Sequence, residues 1–248
     1  MNTRQQDIIN LTQKYGEITI KALAEILNVS EMTIYRDLDF LQNEKLVYKK
    51  RGAAVFAENH KNNLESFYLK EKKAIGKKAA SLLSHGQSVI FDNSTTAIEC
   101  ARYLDDSMKL TCYTTNLEIA HIISKNTNHI LYCCGGYYSP DSKGFIGKHA
   151  EEFVSSLKVD IAIVGASGIS LEKGITNPYP MHNTLQSKII SCAKHCILLA
   201  DHSKFDRIAM EKNCELSEVD TIITDSGISD SLLEKYKKHI NIIVVERR

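Results

Sequence analysis

The sequence carries almost no net charge. Its 31 lysines and arginines meet 30 aspartates and glutamates, leaving +1 at neutral pH. A chain that gathers polyanions over its whole surface is therefore excluded, and any nucleic-acid contact must come from local charge. Long apolar runs are missing too: none approaches the roughly 20 residues that span a bilayer. The first twenty residues, Met1 to Ile20, are charged and helix-like, without the apolar centre of a secretory signal. Seven cysteines are an odd number, scattered through strand-like and helix-like segments. That favours free thiols in a reducing cytoplasm over a disulfide framework. No internal repeat or low-complexity tract stands out. What remains is 248 residues, 43% hydrophobic and 25% charged, enough for two domains of unequal size.

The two ends of the chain differ in pattern. From Arg4 to Phe56 the apolar spacing predicts short helices: Ile8, Leu11, Thr12 and Tyr15 in the first, Ile20, Leu23, Ala24 and Leu27 in the second, Ile34, Leu38 and Leu41 in the third. Gly16 is a plausible stop and Asn28-Val29 a tight turn. Ser30 suits the third N-cap, because its hydroxyl can accept from the free amide of Thr33. Leu46-Val47-Tyr48 and Ala53–Phe56 read as two short strands around a basic loop, Lys49-Lys50-Arg51-Gly52. Three small helices and a basic hairpin make a winged helix-turn-helix, expected over residues 1–57. Its recognition helix would turn Ile34, Leu38 and Leu41 inward and leave Ser30, Glu31, Met32, Thr33, Tyr35 and Arg36 near the major groove. Lys49, Lys50 and Arg51 on the wing would neutralise phosphates. Residues 1–61 hold nine basic and eight acidic side chains, so the order of elements, more than charge, argues for operator DNA as a partner over a protein-interaction module.

A polar linker is expected at residues 58–66. A lysine-rich helix follows, with Lys70, Lys72, Lys73, Lys77 and Lys78 on a solvated face and Leu69, Ile75, Ala79 and Leu82 on the other. The remainder, residues 67–248, alternates apolar strands with amphipathic helices, which predicts a mainly parallel sheet covered on both faces. The strands run into hydroxyl- and glycine-rich loops: Asp92-Asn93-Ser94-Thr95-Thr96, Thr114-Thr115-Asn116, Gly135-Gly136, Gly165-Ala166-Ser167-Gly168 and Asp201-His202-Ser203-Lys204. A ligand should lie beyond the carboxyl ends of the strands. The helix start at Ser94-Thr95-Thr96 offers free amides and hydroxyls to a phosphate. Thr115 and Asn116 hold the equivalent place on the next unit, Gly135, Gly136 and Gly165 would let backbone approach, and Lys204 would add a full charge.

The chain resembles the DeoR-type sugar-operon repressors along nearly its whole length. The N-terminal signature is carried by Ala22-Leu23-Ala24, Val29–Ile34, Arg36-Asp37-Leu38 and Lys50-Arg51-Gly52-Ala53. It departs at Tyr35, where most members have an arginine, and at Ala53, where a second wing glycine is usual; both bear on the operator sequence. Asp92 with Ser94-Thr95-Thr96, Thr115-Asn116, Gly135-Gly136, Gly147, Gly174 and Asp201–Phe205 look like the effector domain of that family. The resemblance implies an α/β domain similar to ribose-5-phosphate isomerase, a phosphorylated sugar as inducer, and Asp92 and Asp201 as site residues. Glu31-Met32, Gly135-Gly136 after Cys134 and Asp201–Phe205 are most like members controlling deoxyribonucleoside operons, which makes deoxyribose 5-phosphate the first ligand expected.

An aldose–ketose isomerase needs a positioned general base, typically a carboxylate. No Asp or Glu stands between Lys173 and Lys194, and Gly165–Gly168 is uncharged, so binding without turnover is expected and no catalytic residue is assigned. The alternative is an isomerase-like enzyme with an appended interaction module. Neither a cofactor nor a metal is expected: Cys192, His195 and Cys196 lack a second ligand pair. Cys133 and Cys134 are expected to pack as small apolar groups, and His182 to lie in a surface loop. Two-fold operators are read by paired domains, so the expected assembly is a homo-oligomer, dimer or tetramer, with no membrane partner. Whether it represses or activates is open.

Overall fold

The structure, a computed structural model, describes residues 2–44, 46–56, 68–125, 128–140, 142–177 and 180–246, without the side chains of residues 13, 14, 50 and 180–183. The chain divides into two compact units, Met1–Phe67 and Tyr68–Arg248. The expected linker, 58–66, lies outside the described residues.

In the first unit, α1 (Thr3–Tyr15) opens with a capping box between Asn2 and Gln5 and ends at Gly16, whose φ of 71° is costly for a residue with a Cβ. Ile8, Ile9 and Thr12 form its buried face; Tyr15, expected with them, is exposed on the last residue of the helix before Gly16. A strand absent from the sequence reading, β1 (Glu17–Thr19), follows; three residues with one apolar member carry no readable alternation. Thr19 caps α2 (Ile20–Ile26), and Ser30 caps α3 (Glu31–Asn43) by accepting from the Thr33 amide at 3.3 Å. Ile34, Leu38 and Leu41 are fully buried, packed with Ile8, Leu23 and Ala54. The wing is β2 (Val47–Lys50) and β3 (Ala53–Phe56), with β3 central between β1 and β2. Its turn is shorter than expected: Lys49 and Lys50 belong to β2 and pair in register with Ala54 and Ala53, leaving Arg51 and Gly52 at the tip. Gly52 takes a φ of 74°, which closes the hairpin in two residues.

The second unit opens with α4 (Leu69–Ala80). Lys72 is buried, unlike the solvated lysine face expected, because Gly76 lets α4 lie close against α5 (Thr95–Arg102); a Cβ at Gly76 would sit 2.7 Å from the Cys100 amide. The central sheet has seven parallel strands: β4 (Ser88–Phe91), β5 (Thr111–Thr114), β6 (Ile130–Cys133), β9 (Val159–Gly165), β12 (Ala193–Leu199), β14 (Thr221–Asp225) and β15 (Asn241–Val245). Their spatial order is β15-β14-β12-β9-β4-β5-β6. The chain thus leaves β4 toward β5 and β6, then crosses back to β9 on the other side and continues outward. Between β4 and β9 the order reverses, which is where open α/β sheets form a crevice. Apolar clusters cover both faces, one around Ile90, Val164, Leu198 and Ile222, the other around Phe91, Ile163, Leu199 and Ile223.

Smaller elements fill the connections. After β6 come a hairpin, β7 (Tyr137–Ser139) with β8 (Gly144–Ile146), and α7 (Lys148–Ser155); α6 (Leu117–Ile123) joins β5 to β6. After β9, strands β10 (Gly168–Ser170) and β11 (Gly174–Asn177) pair with β13 (Glu211–Cys214) in a separate antiparallel sheet. Helix α8 (Pro180–Ser191) takes residue 182 into helix, where a loop was expected, and α9 (Asp230–Lys237) precedes β15. Cys134 is buried but Cys133 is exposed, because β6 is an edge strand. Among the described residues no helix is long and apolar enough to cross a membrane, and no cluster of three or more His, Cys, Asp or Glu could hold a metal.

Candidate functional site

The first unit presents one polar helix face. Glu31, Met32, Tyr35 and Arg36 are exposed on α3, with Ser30 exposed just before it and Thr33 half-buried. Met32, three-quarters exposed, has no core role. The helix is held from behind by Asp37, buried where it receives the Arg4 guanidinium and the Gln5 side-chain amide. Asp37 stands on the same helical face as Ile34, Leu38 and Leu41, so the spacing marked it as inward, but a carboxylate is not expected among core residues. Lys49 pairs with Asp39 of α3 and its amide donates to Gln42 at 3.0 Å, tying the wing to the recognition helix. Arg51 is exposed at the tip; the Lys50 side chain lies outside the description.

In the second unit, the carboxyl ends of β6, β5, β4, β9 and β12 bring their loops to one sheet edge, carrying all eleven effector candidates. At the switch point the loops after β4 and β9 are joined through Asp92. One carboxylate oxygen accepts from the Ser94 amide at 2.8 Å; the other accepts from the Gly165 amide at 2.8 Å and from Gln186 Nε2 at 2.7 Å. Burial pushes the Asp92 carboxyl up, while those donors from Ser94, Gly165 and Gln186 oppose it. Asp92 therefore orders the rim from below rather than lining it. Gly165 serves the same closeness: its Cβ position lies 2.4 Å from Ser94 Cβ, so the missing side chain admits Ser94, a protein neighbour, where a ligand was expected.

Ser94 caps α5 by accepting from the Ala97 amide at 3.2 Å, and α5 begins at Thr95. Thr95 is half-exposed; Thr96 is turned inward and buried. Thr115 and Asn116 are buried too. The Thr115 hydroxyl donates to Asn93 Oδ1 at 3.0 Å, and Asn116 Oδ1 accepts from the Ile119 amide at 2.9 Å, capping α6. Both brace the loop through these oxygens, while Asn116 Nδ2 is buried without a hydrogen-bond partner. Gly135 and Gly136 are exposed, with open space beside Gly135. Asp201 is buried and caps the short turn His202–Lys204, and Lys204 Nζ stands 4.0 Å from it, half-buried.

Several residues were not singled out from the sequence. Gln186 is the hub of a buried amide network: its Oε1 accepts from Asn177 at 2.9 Å and from Asn213, and its Nε2 also donates to the Gly165 carbonyl at 2.9 Å. It stands in the stretch that lacks a carboxylate. His202 donates its backbone amide and Nδ1 to Asp225, which is fully buried at the end of β14. Burial raises the Asp225 carboxyl, but the His202 and Gly227 donors outweigh it and hold the value down at about 2. The ring of Tyr68 packs edge-on against His202, with centroids 4.9 Å apart. The adjacent Asp201-His202 pair was visible; its partner Asp225, 23 residues away, was not.

A helix-turn-helix headpiece followed by a doubly wound α/β domain whose loops gather at a switch point defines a transcription regulator with a sensor domain. Residues 4–60 match the DeoR-like helix-turn-helix domain and residues 68–226 the DeoR C terminal sensor domain. The chain belongs to the DeoR family of transcriptional repressors. It is 33% identical over 224 residues to the HTH-type transcriptional repressor GlcR of Bacillus subtilis, covering 88% of this chain and 86% of that one. It is 31% identical to the glycerol-3-phosphate regulon repressor of Haemophilus influenzae, covering 95% and 94%. The transcriptional repressor AccR of Agrobacterium fabrum is 30% identical over 95% of both. Among solved structures, ribose 5-phosphate isomerase A of Methanocaldococcus jannaschii aligns over 56% of this chain and 55% of its own, at 16% identity and a TM-score of 0.41.

Proposed function

We propose that this protein represses a sugar or nucleoside catabolic operon and is released from its operator by a phosphorylated sugar held at the β4/β9 switch point. The carrying observation is the convergence of loops from five adjacent strands on one edge, with the N-terminus of α5 among them. The phosphate would sit on the first-turn amides of α5 and the Thr95 hydroxyl, with Lys204 supplying charge. Asn93, Ser167 and the Gly135-Gly136 backbone would meet sugar hydroxyls, and Asp92, Thr115, Asn116 and Asp201 would hold those groups in place. A relative named as the glycerol-3-phosphate regulon repressor supports a small phosphorylated polyol or sugar as the ligand class. Deoxyribose 5-phosphate remains the first probe, from the resemblance of Gly135-Gly136 and Asp201–Phe205.

On the DNA side, Ser30, Glu31, Met32, Thr33, Tyr35 and Arg36 would meet base edges or phosphates, and Lys49, Lys50 and Arg51 the backbone. Lys49 would exchange its Asp39 partner for a phosphate on binding. The buried, hydrogen-bonded state of the rim carboxylates supports binding over turnover, because a general base must reach its substrate's proton. By linkage, a ligand that weakens operator binding is itself bound more weakly when operator is present.

The test is a thermal-shift series with deoxyribose 5-phosphate, glucose 6-phosphate, glycerol 3-phosphate and inorganic phosphate. A ligand of the native state at a hundredfold excess over its Kd stabilises by about 2.7 kcal/mol. The bound ligand must then lower affinity for duplex DNA selected from a random pool. Stabilisation without loss of DNA affinity would refute induction; ketose formation would favour the isomerase reading.

A further inference from the structure

We propose that the contact between Tyr68 and His202 is the joint through which occupancy of the sensor site reaches the chain leading to the headpiece. Tyr68 is the first residue of the second unit, where the chain arrives from the headpiece. It precedes α4 in a left-handed conformation, with φ 53° and ψ 32°, a region that residues with a Cβ rarely enter. Its carbonyl accepts from the Lys72 amide at 2.7 Å and starts the helix, but its side chain makes no cap. The ring instead packs edge-on against His202, centroids 4.9 Å apart and planes 82° apart. A rare backbone state of this kind persists where tertiary packing holds it.

His202 belongs to the turn that also carries Lys204. Buried Asp201 accepts from the Ser203 amide at 3.0 Å, and its carbonyl accepts from the Lys204 amide at 3.1 Å. Its second carboxylate oxygen stands 4.0 Å from Lys204 Nζ. One three-residue turn therefore holds both the partner of Tyr68 and the cation assigned to the phosphate. His202 is fixed on its other side, because its backbone amide and Nδ1 reach Asp225 at 2.8 and 2.9 Å. A shift of the turn is thus passed to the Tyr68 ring rather than absorbed by rotation of the imidazole. Burial first, then the charges of Asp201, Glu71 and Asp225, push the Tyr68 phenol up, with Arg207 opposing them; the ring lies in the field of the carboxylates that fix the turn. The helix that Tyr68 opens also meets the other half of the phosphate seat. At Gly76, where a Cβ would lie 2.7 Å from the Cys100 amide, α4 presses against α5, whose first turn would bind the phosphate.

These contacts make residue 68 a two-state element. With the ring seated on His202 the backbone stays left-handed. With the ring released it relaxes to the right-handed or extended region that tyrosine prefers, and the chain before α4 leaves in another direction. A ligand bridging Lys204 and the first turn of α5 fixes the turn on which the ring rests, so it binds the two states unequally. That difference in affinity is what coupling to the operator requires. The inference rests on the reading that Lys204 meets the effector's phosphate. Tyr68 acts in it as a positioning residue, outside both binding sites.

The test measures operator affinity of the full chain by fluorescence anisotropy, on duplex DNA selected from a random pool. Each measurement is made with and without deoxyribose 5-phosphate, glucose 6-phosphate, glycerol 3-phosphate or inorganic phosphate. In the wild type the effective probe should lower affinity by about 5–150-fold, the ordinary range of coupling between sites. In Tyr68→Ala that change should fall below about twofold while the probe's thermal shift remains. Tyr68→Phe, which keeps the ring, should restore most of the change. A second measurement needs no effector: by reciprocity, operator binding should move the His202 ring resonances of the histidine-labelled chain. These are assigned by their loss in His202→Gln, with buried His129 as the internal reference, and should stay in place in Tyr68→Ala. Operator that binds without moving His202, Tyr68→Ala released like wild type, Tyr68→Ala that loses the probe's thermal shift together with release, or Tyr68→Phe as uncoupled as Tyr68→Ala would each overturn the proposal. A wild type that no probe releases would count against the sugar-phosphate reading instead, and the His202 measurement would still decide the joint.

Discussion

Replacing Gly165 by alanine tests the packing that sets the candidate site. Gly165 closes β9, and its backbone lies in a region alanine also adopts, so in open space the change would stabilise the protein by about 0.4–1 kcal/mol through the unfolded chain. Here the new Cβ would meet Ser94 Cβ at 2.4 Å and Ser94 Oγ at 2.6 Å. Overpacking of that kind costs about 1–3 kcal/mol. Displacing Ser94 also removes the cap of α5, about 1 kcal/mol more. The expected loss is about 2–4 kcal/mol, which for a domain of 150–250 residues lowers Tm by roughly 5–15 °C. Ser94→Gly alone should cost only a few tenths of a kcal/mol, because glycine is a tolerated N-cap. Combined with Gly165→Ala it should restore at least half of the loss. The double-mutant cycle, read by calorimetry or denaturant unfolding, isolates the contact. A Gly165→Ala protein as stable as wild type, or no recovery in the double variant, would refute the claim that Gly165 exists to admit Ser94.

Arg36→Ala should weaken operator binding by about 1–3 kcal/mol if it reads a base edge, with the thermal response to sugar phosphates retained; fluorescence anisotropy at several salt concentrations measures it, and unchanged affinity sinks the groove assignment. Lys204→Ala should abolish stabilisation by the phosphorylated probe that binds wild type while DNA affinity stays intact; a full thermal shift in the variant rules Lys204 out as the phosphate's cation. Asp225, fully buried, has its carboxyl held near 2 against an ordinary 3.8. Its contribution is thus present above about pH 4 and lost as pH falls through about 2, and that difference of just under two pH units corresponds to about 2.5 kcal/mol. Asp225→Asn should therefore be less stable at neutral pH and show a flatter stability–pH curve between those limits; parallel curves would contradict the pairing with His202.

Much of the fold was legible because it rests on local periodicity. The three helices of the headpiece, the Ser30 cap and the alternation of strands with helices follow from apolar spacing and from side chains that bond amides two or three residues away. β1 was invisible because three residues are too few for a pattern, and the wing's turn was drawn two residues too long because Lys49 and Lys50 read as loop by charge alone. The rim residues were found as residue types at strand ends. Which of them face outward was not legible: Thr95 and Thr96 are neighbours of one kind, and only the packing of α5 turns the second inward.

The amino-acid order by itself determined two domains, a helix-turn-helix with its capped third helix, and hydroxyl- and glycine-rich loops at the strand ends, because each depends on neighbours within a few residues. Tertiary structure alone decided that Asp92 spans the switch point, that Gln186 fastens it from a helix 94 residues away, and that β6 stands at the open edge. Those facts depend on strand order, and strand order is set by which long-range pairings bury both faces of the sheet together, a property no local window of sequence contains.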